Sequence, residues 1–236
     1  MVDIDDWVAL EEQLRAASPA MVAVVDPFLD RLPGSGPAPE LRELLRNFPS
    51  ATVVAAVNGR PASPRDLWTL GTWGVAEILQ VDEEGTTEAI RRRLREARGQ
   101  PLRNLLFGDL PVPLPGRARV ILDAAIEVVS NGGLPRDLAR SLGLSPSTLL
   151  RWCQRSHLPT PRRLLLWMRS LLAASLLDDP GHTVLSVALA CGYSSDQAQR
   201  RALRAVAPYT PTQLREQGAF ATLSAGFLDE LERYQP

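Results

Sequence analysis

The sequence contains no lysine, and only two cysteines and two histidines among its 236 residues. Two cysteines are too few for a disulfide framework or a zinc cluster. No apolar run approaches the roughly 20 residues that cross a bilayer, and the start, MVDIDDWVALEE, is acidic where a secretory signal peptide would be basic. We therefore expect a soluble cytoplasmic protein that has no membrane segment and is not an enzyme, with no metal site, no cofactor and no catalytic residues.

The charges nearly cancel, since 26 arginines stand against 27 acidic residues and give a net charge of −1. Taken alone, this balance argues against a nucleic-acid partner. The two parts of the chain differ, however. Residues 1–116 hold 12 arginines and 17 acidic residues, whereas residues 134–217 hold 11 arginines and 5 acidic residues. A basic segment that suits a polyanion is therefore carried by an acidic one.

All 26 basic residues other than histidine are arginines, and this bias has two explanations. Arginine is better suited than lysine to bidentate contacts with phosphate and guanine. A GC-rich genome that favours arginine codons is the simpler explanation, so the bias alone decides nothing.

The first hundred residues alternate between short apolar runs and amphipathic segments. The runs are β-branched or aliphatic and too short for isolated helices, which predicts buried strands of a parallel sheet covered on both faces. The predicted strands are 20–25, 52–57 and 75–81, and the predicted helices are 6–17, 40–48, 63–70 and 87–98. We expect an α/β domain over residues 1–100, followed by a proline-rich linker over residues 101–116.

The rest of the chain shows only helical periodicity, which predicts an all-α C-terminal domain. The expected helices are 117–130, 135–142, 146–156, 161–177, 184–191, 195–206 and 211–217, and a last amphipathic stretch covers 220–234.

This helical part contains a weak repeat. DLARSLGLS at 137–145 matches SVALACGYS at 186–194, so that Ala139 pairs with Ala188 and Gly143 with Gly192. The small alanine allows two helices to cross closely, and the glycine supplies a left-handed turn. Any tight helical hairpin favours these residues, but two copies in one basic domain favour helix-turn-helix units.

The repeat, the long helix between its copies and the closing motif YTPTQLRE together carry a family resemblance. Residues 117–218 resemble the DNA-binding domain of AraC-type transcription regulators of bacterial type. The resemblance implies two helix-turn-helix units whose second helices enter successive major grooves of double-stranded DNA, roughly 34 Å apart. It also implies a regulator for which RNA polymerase is a further candidate partner. Residues 219–236 would form a C-terminal helical extension.

The resemblance and the helical register together suggest which side chains contact DNA. Arg151 suits guanine and Gln197 suits adenine, while Asp196 could accept a hydrogen bond from cytosine or favour the helix start. A solvated helix face is the alternative for each residue. The predicted base-reading residues are Ser147, Thr148, Leu150, Arg151, Asp196, Gln197, Arg200 and Arg201, and the predicted phosphate contacts are Ser145, Gln154, Arg155, Arg162, Arg163, Arg204 and Thr210.

The N-terminal segment VAVVDPFLDRLPGSG resembles the acceptor strand of a response-regulator receiver, a flavodoxin-like domain, and places Asp26 at the acceptor position. Gln80 stands where such domains usually have lysine, and the region that supplies the magnesium-binding acidic pair is missing. We therefore expect a truncated, degenerate receiver used for sensing or association, with a homodimer formed through it.

Two other functions remain open. The helical domain could be a protein-interaction adaptor that has lost DNA binding, because Gln199 and Pro208 depart from the family pattern. Alternatively, Asp26 could be phosphorylated as in an active receiver. Cys153 and Cys191 fall at core positions, where a small buried hydrophobic role is favoured over redox sensing.

Overall fold

The computed structural model describes residues 3–32, 35–57, 62–81, 86–109 and 114–234. The chain divides into two compact units. The first unit consists of Met1–Pro101 with Asp179–His182, and the second of Leu102–Asp178 with Thr183–Pro236. Within the described ranges, no helix is both long and apolar enough to cross a membrane.

In its described residues, the first unit has a three-stranded parallel sheet with helices between the strands. The strand order is β1 (Val22–Val25), β2 (Thr52–Val57), β3 (Glu77–Gln80), with Val22 opposite Thr52 and Val54 opposite Glu77. This confirms the parallel sheet predicted from the apolar runs. In chain order the elements are α1 (Trp7–Ala16), β1 (Val22–Val25), α2 (Pro39–Asn47), β2 (Thr52–Val57), α3 (Pro64–Trp73), β3 (Glu77–Gln80) and α4 (Thr87–Ala97).

The middle strand β2 is buried on both faces, which explains why its sequence is apolar throughout. Val53 and Ala55 pack with Leu41 and Phe48, whereas Val54 packs on the opposite face with residues of α4 and β3. The strand therefore shows no alternation of polar and apolar residues.

The short segment 179–182 belongs to the first unit because it contacts residues there. The backbone nitrogen of Ser50 donates to Oδ1 of Asp179 at 3.4 Å, and the Ser50 hydroxyl donates to Oδ2. Gly181 has φ 88°, and a Cβ at this position would lie 2.5 Å from the carbonyl oxygen of Arg15. Only glycine fits this approach without a backbone shift.

The described residues of the second unit form helices joined by turns and contain no strand, as the periodicity predicts. Its central helix α9 (Pro161–Asp178) is mostly buried and forms the core with α6 (Gly116–Ser130) and α13 (Ala219–Glu232). The helices are α5 (Gln100–Asp109), α6 (Gly116–Ser130), α7 (Pro135–Ser141), α8 (Pro146–Arg155), α9 (Pro161–Asp178), α10 (Val184–Ala190), α11 (Asp196–Arg204), α12 (Pro211–Gln217) and α13 (Ala219–Glu232).

The structure differs from the sequence prediction at the expected linker. Residues 101–109 lie in α5, where Leu102 and Leu106 are each 1 % exposed in the core of the second unit. These leucines lie four residues apart, which is one face of a helix. The prolines at 111, 113 and 115, which indicate a linker, come after this helix in the sequence. Residues 110–113 lie outside the described ranges.

Candidate nucleic-acid interface

Helices α7 and α8, here called the first helix pair, are joined by a tight turn. Gly143 has φ 64°, the left-handed conformation expected for a glycine after a helix. The backbone nitrogen of Leu144 donates to the carbonyl oxygen of Ala139 at 2.9 Å. The Ser145 hydroxyl then accepts from the nitrogen of Thr148 at 3.2 Å and caps α8, with Pro146 at its first position.

Helices α10 and α11, the second helix pair, have the same turn. Gly192 has φ 78°, and the nitrogen of Tyr193 donates to the carbonyl oxygen of Ala188 at 2.9 Å. The cap of α11 is Ser195, whose hydroxyl accepts from Ala198. The repeat aligned Ser194 with Ser145, so the second copy is one residue longer before its second helix begins.

The outer face of α8 carries polar and basic side chains and no acidic residue. Leu149 and Cys153 are buried, as their four-residue spacing predicts. Thr148 is half-buried, and its hydroxyl lies 3.3 Å from Nη2 of Arg151. The remaining predicted contacts on this helix are all exposed: Ser147, Leu150, Arg151, Gln154 and Arg155.

The outer face of α11 is more mixed in charge. Asp196 lies 3.5 Å from Nε of Arg200, so the two charges partly offset each other. Gln197, Arg201 and Arg204 are exposed. The carboxylate lies in the first turn of the helix, where the helix dipole favours it.

Gln199 is the least favourable residue of the second pair. It is fully buried, and neither Oε1 nor Nε2 has a hydrogen-bond partner in the structure. A buried amide without a partner destabilises a fold by about 1–3 kcal/mol. Gln199 is one of the residues that depart from the family pattern in the sequence, and its burial shows that it lies in the core.

Residues 138–217 match the family model described as a helix-turn-helix domain. The match begins inside α7, runs to the end of α12 and therefore covers both helix pairs except for the first three residues of α7. It supports DNA binding and transcription regulation of AraC type. Searches of curated proteins and of solved structures found no match.

Most of the predicted phosphate contacts of the helix-turn-helix domain lie on its surface. Arg162 and Arg204 are exposed, and Thr210 caps α12 by accepting from the nitrogen of Gln213 at 3.3 Å. Ser145 is exposed but acts as the cap of α8. Its oxygen accepts from Thr148, so its hydroxyl hydrogen is what it would donate to a phosphate oxygen.

Arg163 differs from the other predicted phosphate contacts because its donors bind within the protein. Nε and Nη2 donate to the carboxylate of Glu230 at 2.8 and 2.6 Å, and Nη1 donates to the carbonyl oxygen of Ala205 at 2.6 Å. The hydrogen bonding between the two side chains raises the pKa of Arg163 and lowers that of Glu230. The geometry favours a structural role for Arg163 over the phosphate contact expected from the sequence.

Two further arginine contacts were not found from the sequence. Nη2 of Arg169 donates to the carbonyl oxygen of Gly133 at 2.7 Å, and its Cζ lies 6.0 Å from the centre of the Tyr193 ring. The Cζ of Arg117 lies 5.2 Å from the centre of the Trp152 ring. The only signal in the sequence for Arg169 is its position among apolar residues in the middle of α9, six residues after Arg163.

Both cysteines of the helix-turn-helix domain are buried and unpaired. Burial raises the pKa of Cys153 to about 11 and that of Cys191 to about 12. The reactive thiolate is therefore scarce at neutral pH. Among the described residues, no group of three histidines, cysteines or carboxylates could hold a metal ion.

Proposed function

We propose that the second unit binds double-stranded DNA sequence-specifically and regulates transcription, with α8 and α11 reading successive major grooves. The observation that carries this proposal is the repeated turn. In both helix pairs a left-handed glycine and a bond back to an alanine carbonyl precede a capped helix with exposed arginines. Two such helices one turn of DNA apart would read two half-sites from one face.

In this proposal α8 makes the stronger contribution to base reading. Arg151 contacts guanine, and Leu150 offers an apolar contact to a thymine methyl group. Ser147 and Thr148 contact neighbouring base edges. No acidic side chain opposes the DNA on this helix.

Helix α11 reads the second half-site with lower affinity. Arg201 contacts guanine and Gln197 contacts adenine, while Asp196 accepts from cytosine or stabilises the helix start. The Asp196–Arg200 pair reduces the positive charge that this helix offers to DNA, and the unpartnered Gln199 destabilises its packing. Ser145, Gln154, Arg155, Arg162, Arg204 and Thr210 remain the proposed phosphate contacts.

We propose a sensing or association role for the first unit, as a degenerate receiver that joins two copies of the chain. Strands β1 and β3 lie at the two edges of its described sheet, and an exposed strand edge can pair with another chain. The Asp26 carboxylate accepts from the nitrogen of Phe28 at 2.8 Å and stabilises its own turn. Light scattering at several concentrations would detect the homodimer, and RNA polymerase stays a second candidate partner.

The decisive experiment is the selection of genomic fragments by the purified protein, followed by titration of a selected fragment at several salt concentrations. We expect an enriched sequence with two half-sites. We also expect log Kd to change steeply with log salt, by roughly 0.9 for each phosphate neutralised. If no fragment is enriched over random DNA, the proposal fails and the adaptor function is favoured.

A further inference from the structure

Helix α13 lies beyond the matched residues 138–217 and runs antiparallel along α9. At the end of α9, the carboxylate of Asp178 accepts from the nitrogens of Ala219 and Phe220 at 2.7 and 2.8 Å. In the middle, the rings of Trp167 and Phe227 lie 5.6 Å apart and inclined by 50°. Asp178 is exposed, but Ala219 and Phe220 belong to the buried core together with Trp167 and Phe227, so α13 is fixed to α9 along its length.

The beginning of α9 holds the other end of α13 through a charged contact. The Glu230 side chain is 11 % exposed and is bound by two nitrogens of Arg163. The third nitrogen of Arg163 donates to Ala205, the residue that ends α11. One guanidinium therefore connects α13 to the end of the second candidate reading helix.

The last described residues of the chain connect in the same way to the first helix pair. Nδ1 of His157 lies 2.9 Å from the carbonyl oxygen of Tyr234. His157 lies two residues after the end of α8 and has φ 53°, so the chain turns sharply at this contact. His157, just beyond α8, is thus hydrogen-bonded to Tyr234, which follows α13. Ala205, just beyond α11, is hydrogen-bonded to Arg163, which also binds Glu230 of α13.

We propose that Glu230 and Arg163 are positioning residues that hold α11 at a fixed separation from α8 and thereby set the half-site spacing that the protein accepts. This inference rests on the proposed reading of two half-sites. A single base pair changes the separation of two half-sites by about 3.4 Å, and rotates one relative to the other. A protein with firmly held reading helices should therefore reject altered spacings, whereas one with a loosened α11 should tolerate them.

The test uses a panel of duplexes in which the selected half-sites are moved apart or together by one and two base pairs. We expect the wild-type protein to bind its preferred spacing at least tenfold more tightly than the others. Glu230→Gln should reduce this preference to threefold or less, and should leave the affinity for an isolated first half-site within twofold. Arg163→Met should behave in the same way.

Arg162→Met is the matched control, since Arg162 precedes Arg163 and is exposed. It should weaken binding at every spacing by a similar factor, because a phosphate contact positions the protein without reading the sequence. Circular dichroism and thermal unfolding establish that each variant is folded. If Glu230→Gln does not fold, His157→Asn tests the contact between His157 and Tyr234 instead. Asparagine tolerates the positive φ but is too short to replace the imidazole contact.

The outcomes separate the two proposals. A wild-type protein that binds no two-half-site DNA contradicts the proposed function itself. A wild-type protein with a sharp spacing preference that the folded variants retain would overturn the positioning role, and would leave DNA reading intact.

Discussion

The side chain of Arg169 donates a hydrogen bond to the carbonyl oxygen of Gly133, with 2.7 Å between Nη2 and oxygen. Gly133 lies just before the first helix pair, and Arg169 also stacks on Tyr193 in the turn of the second pair. One residue of the central helix therefore contacts the beginning of one pair and the turn of the other.

Gly133 should not tolerate a side chain. A Cβ there would lie 2.7 Å from Cγ1 and 2.9 Å from the carbonyl oxygen of Val128. We expect Gly133→Ala to lower the free energy of unfolding by about 1–3 kcal/mol, as overpacking does, and to weaken DNA binding. Gly108→Ala is the control, because Gly108 lies in α5 with open space around its Cα, and alanine should stabilise that helix. Equal unfolding curves for the two variants would contradict the predicted clash.

Arg151 and Arg201 should carry sequence discrimination. Replacing each by alanine should weaken binding to the selected site by about 5- to 150-fold, the equivalent of 1–3 kcal/mol for a guanine contact. Binding to random DNA should change little. Arg155 is a proposed phosphate contact, so Arg155→Ala should weaken binding to the selected site and to random DNA by a similar factor. Competition titrations measure the two affinities. Equal losses on both kinds of DNA in the Arg151 and Arg201 variants would show that these residues do not read bases.

Gln199→Leu should stabilise the protein. The replacement has a similar volume and removes two buried polar atoms that have no partner in the structure. We expect the free energy of unfolding to rise by about 1–3 kcal/mol, measured by denaturant titration. Gln197→Leu, on the exposed face of the same helix, should leave the free energy of unfolding nearly unchanged. A loss of stability in Gln199→Leu would reveal a polar partner that the side chain needs.

The Arg163–Glu230 pair predicts a particular dependence of stability on pH. Hydrogen bonding to Arg163 holds the pKa of Glu230 below its ordinary value in the folded protein. The stability that ionised Glu230 contributes to the folded protein is therefore complete above the ordinary carboxyl pKa. It is lost as the pH falls through the lowered pKa. Unfolding titrations between neutral and acidic pH should show a smaller decrease for Glu230→Gln than for the wild type. Parallel curves would contradict the linkage.

Both thiols should be inert in the folded protein. Because burial raises the pKa of Cys153 and Cys191 to about 11 and 12, little thiolate is present at neutral pH. We expect a chromogenic disulfide reagent to label neither cysteine in native protein and both in denaturant. The Cys153→Ala and Cys191→Ala variants assign any labelling to one site. Rapid labelling of native protein at either thiol would restore the redox-sensing hypothesis.

The elements that the sequence predicted well are those whose signal is local. The strand at 52–57 is an uninterrupted apolar run, and Gly143 and Gly192 mark turns that few other residues adopt. Ser145, a residue type that commonly caps helices, stands directly before α8. In each case a residue's intrinsic preference and its structural position agree.

The parts that could not be predicted depend on distant residues. Arg163 looks like any exposed basic residue near a helix start until Glu230, 67 positions later, comes into contact with it. Helix α5 was hidden by the prolines that follow it, because its apolar face is only two turns long. The direction of an arginine side chain is decided by which acceptors the fold brings near it, and sequence spacing does not contain that information.

Helix α13 is synthesised after every other helix that the structure describes. Until it emerges from the ribosome, the ring of Trp167 has no contact with Phe227 and Arg163 has no Glu230 to bind. Domains fold as units during translation, so the core of the second unit is complete only when α13 joins α9. A nascent chain that stops before Ala219 would carry both helix pairs but lack the helix that holds them, and premature chains would therefore compete poorly for DNA.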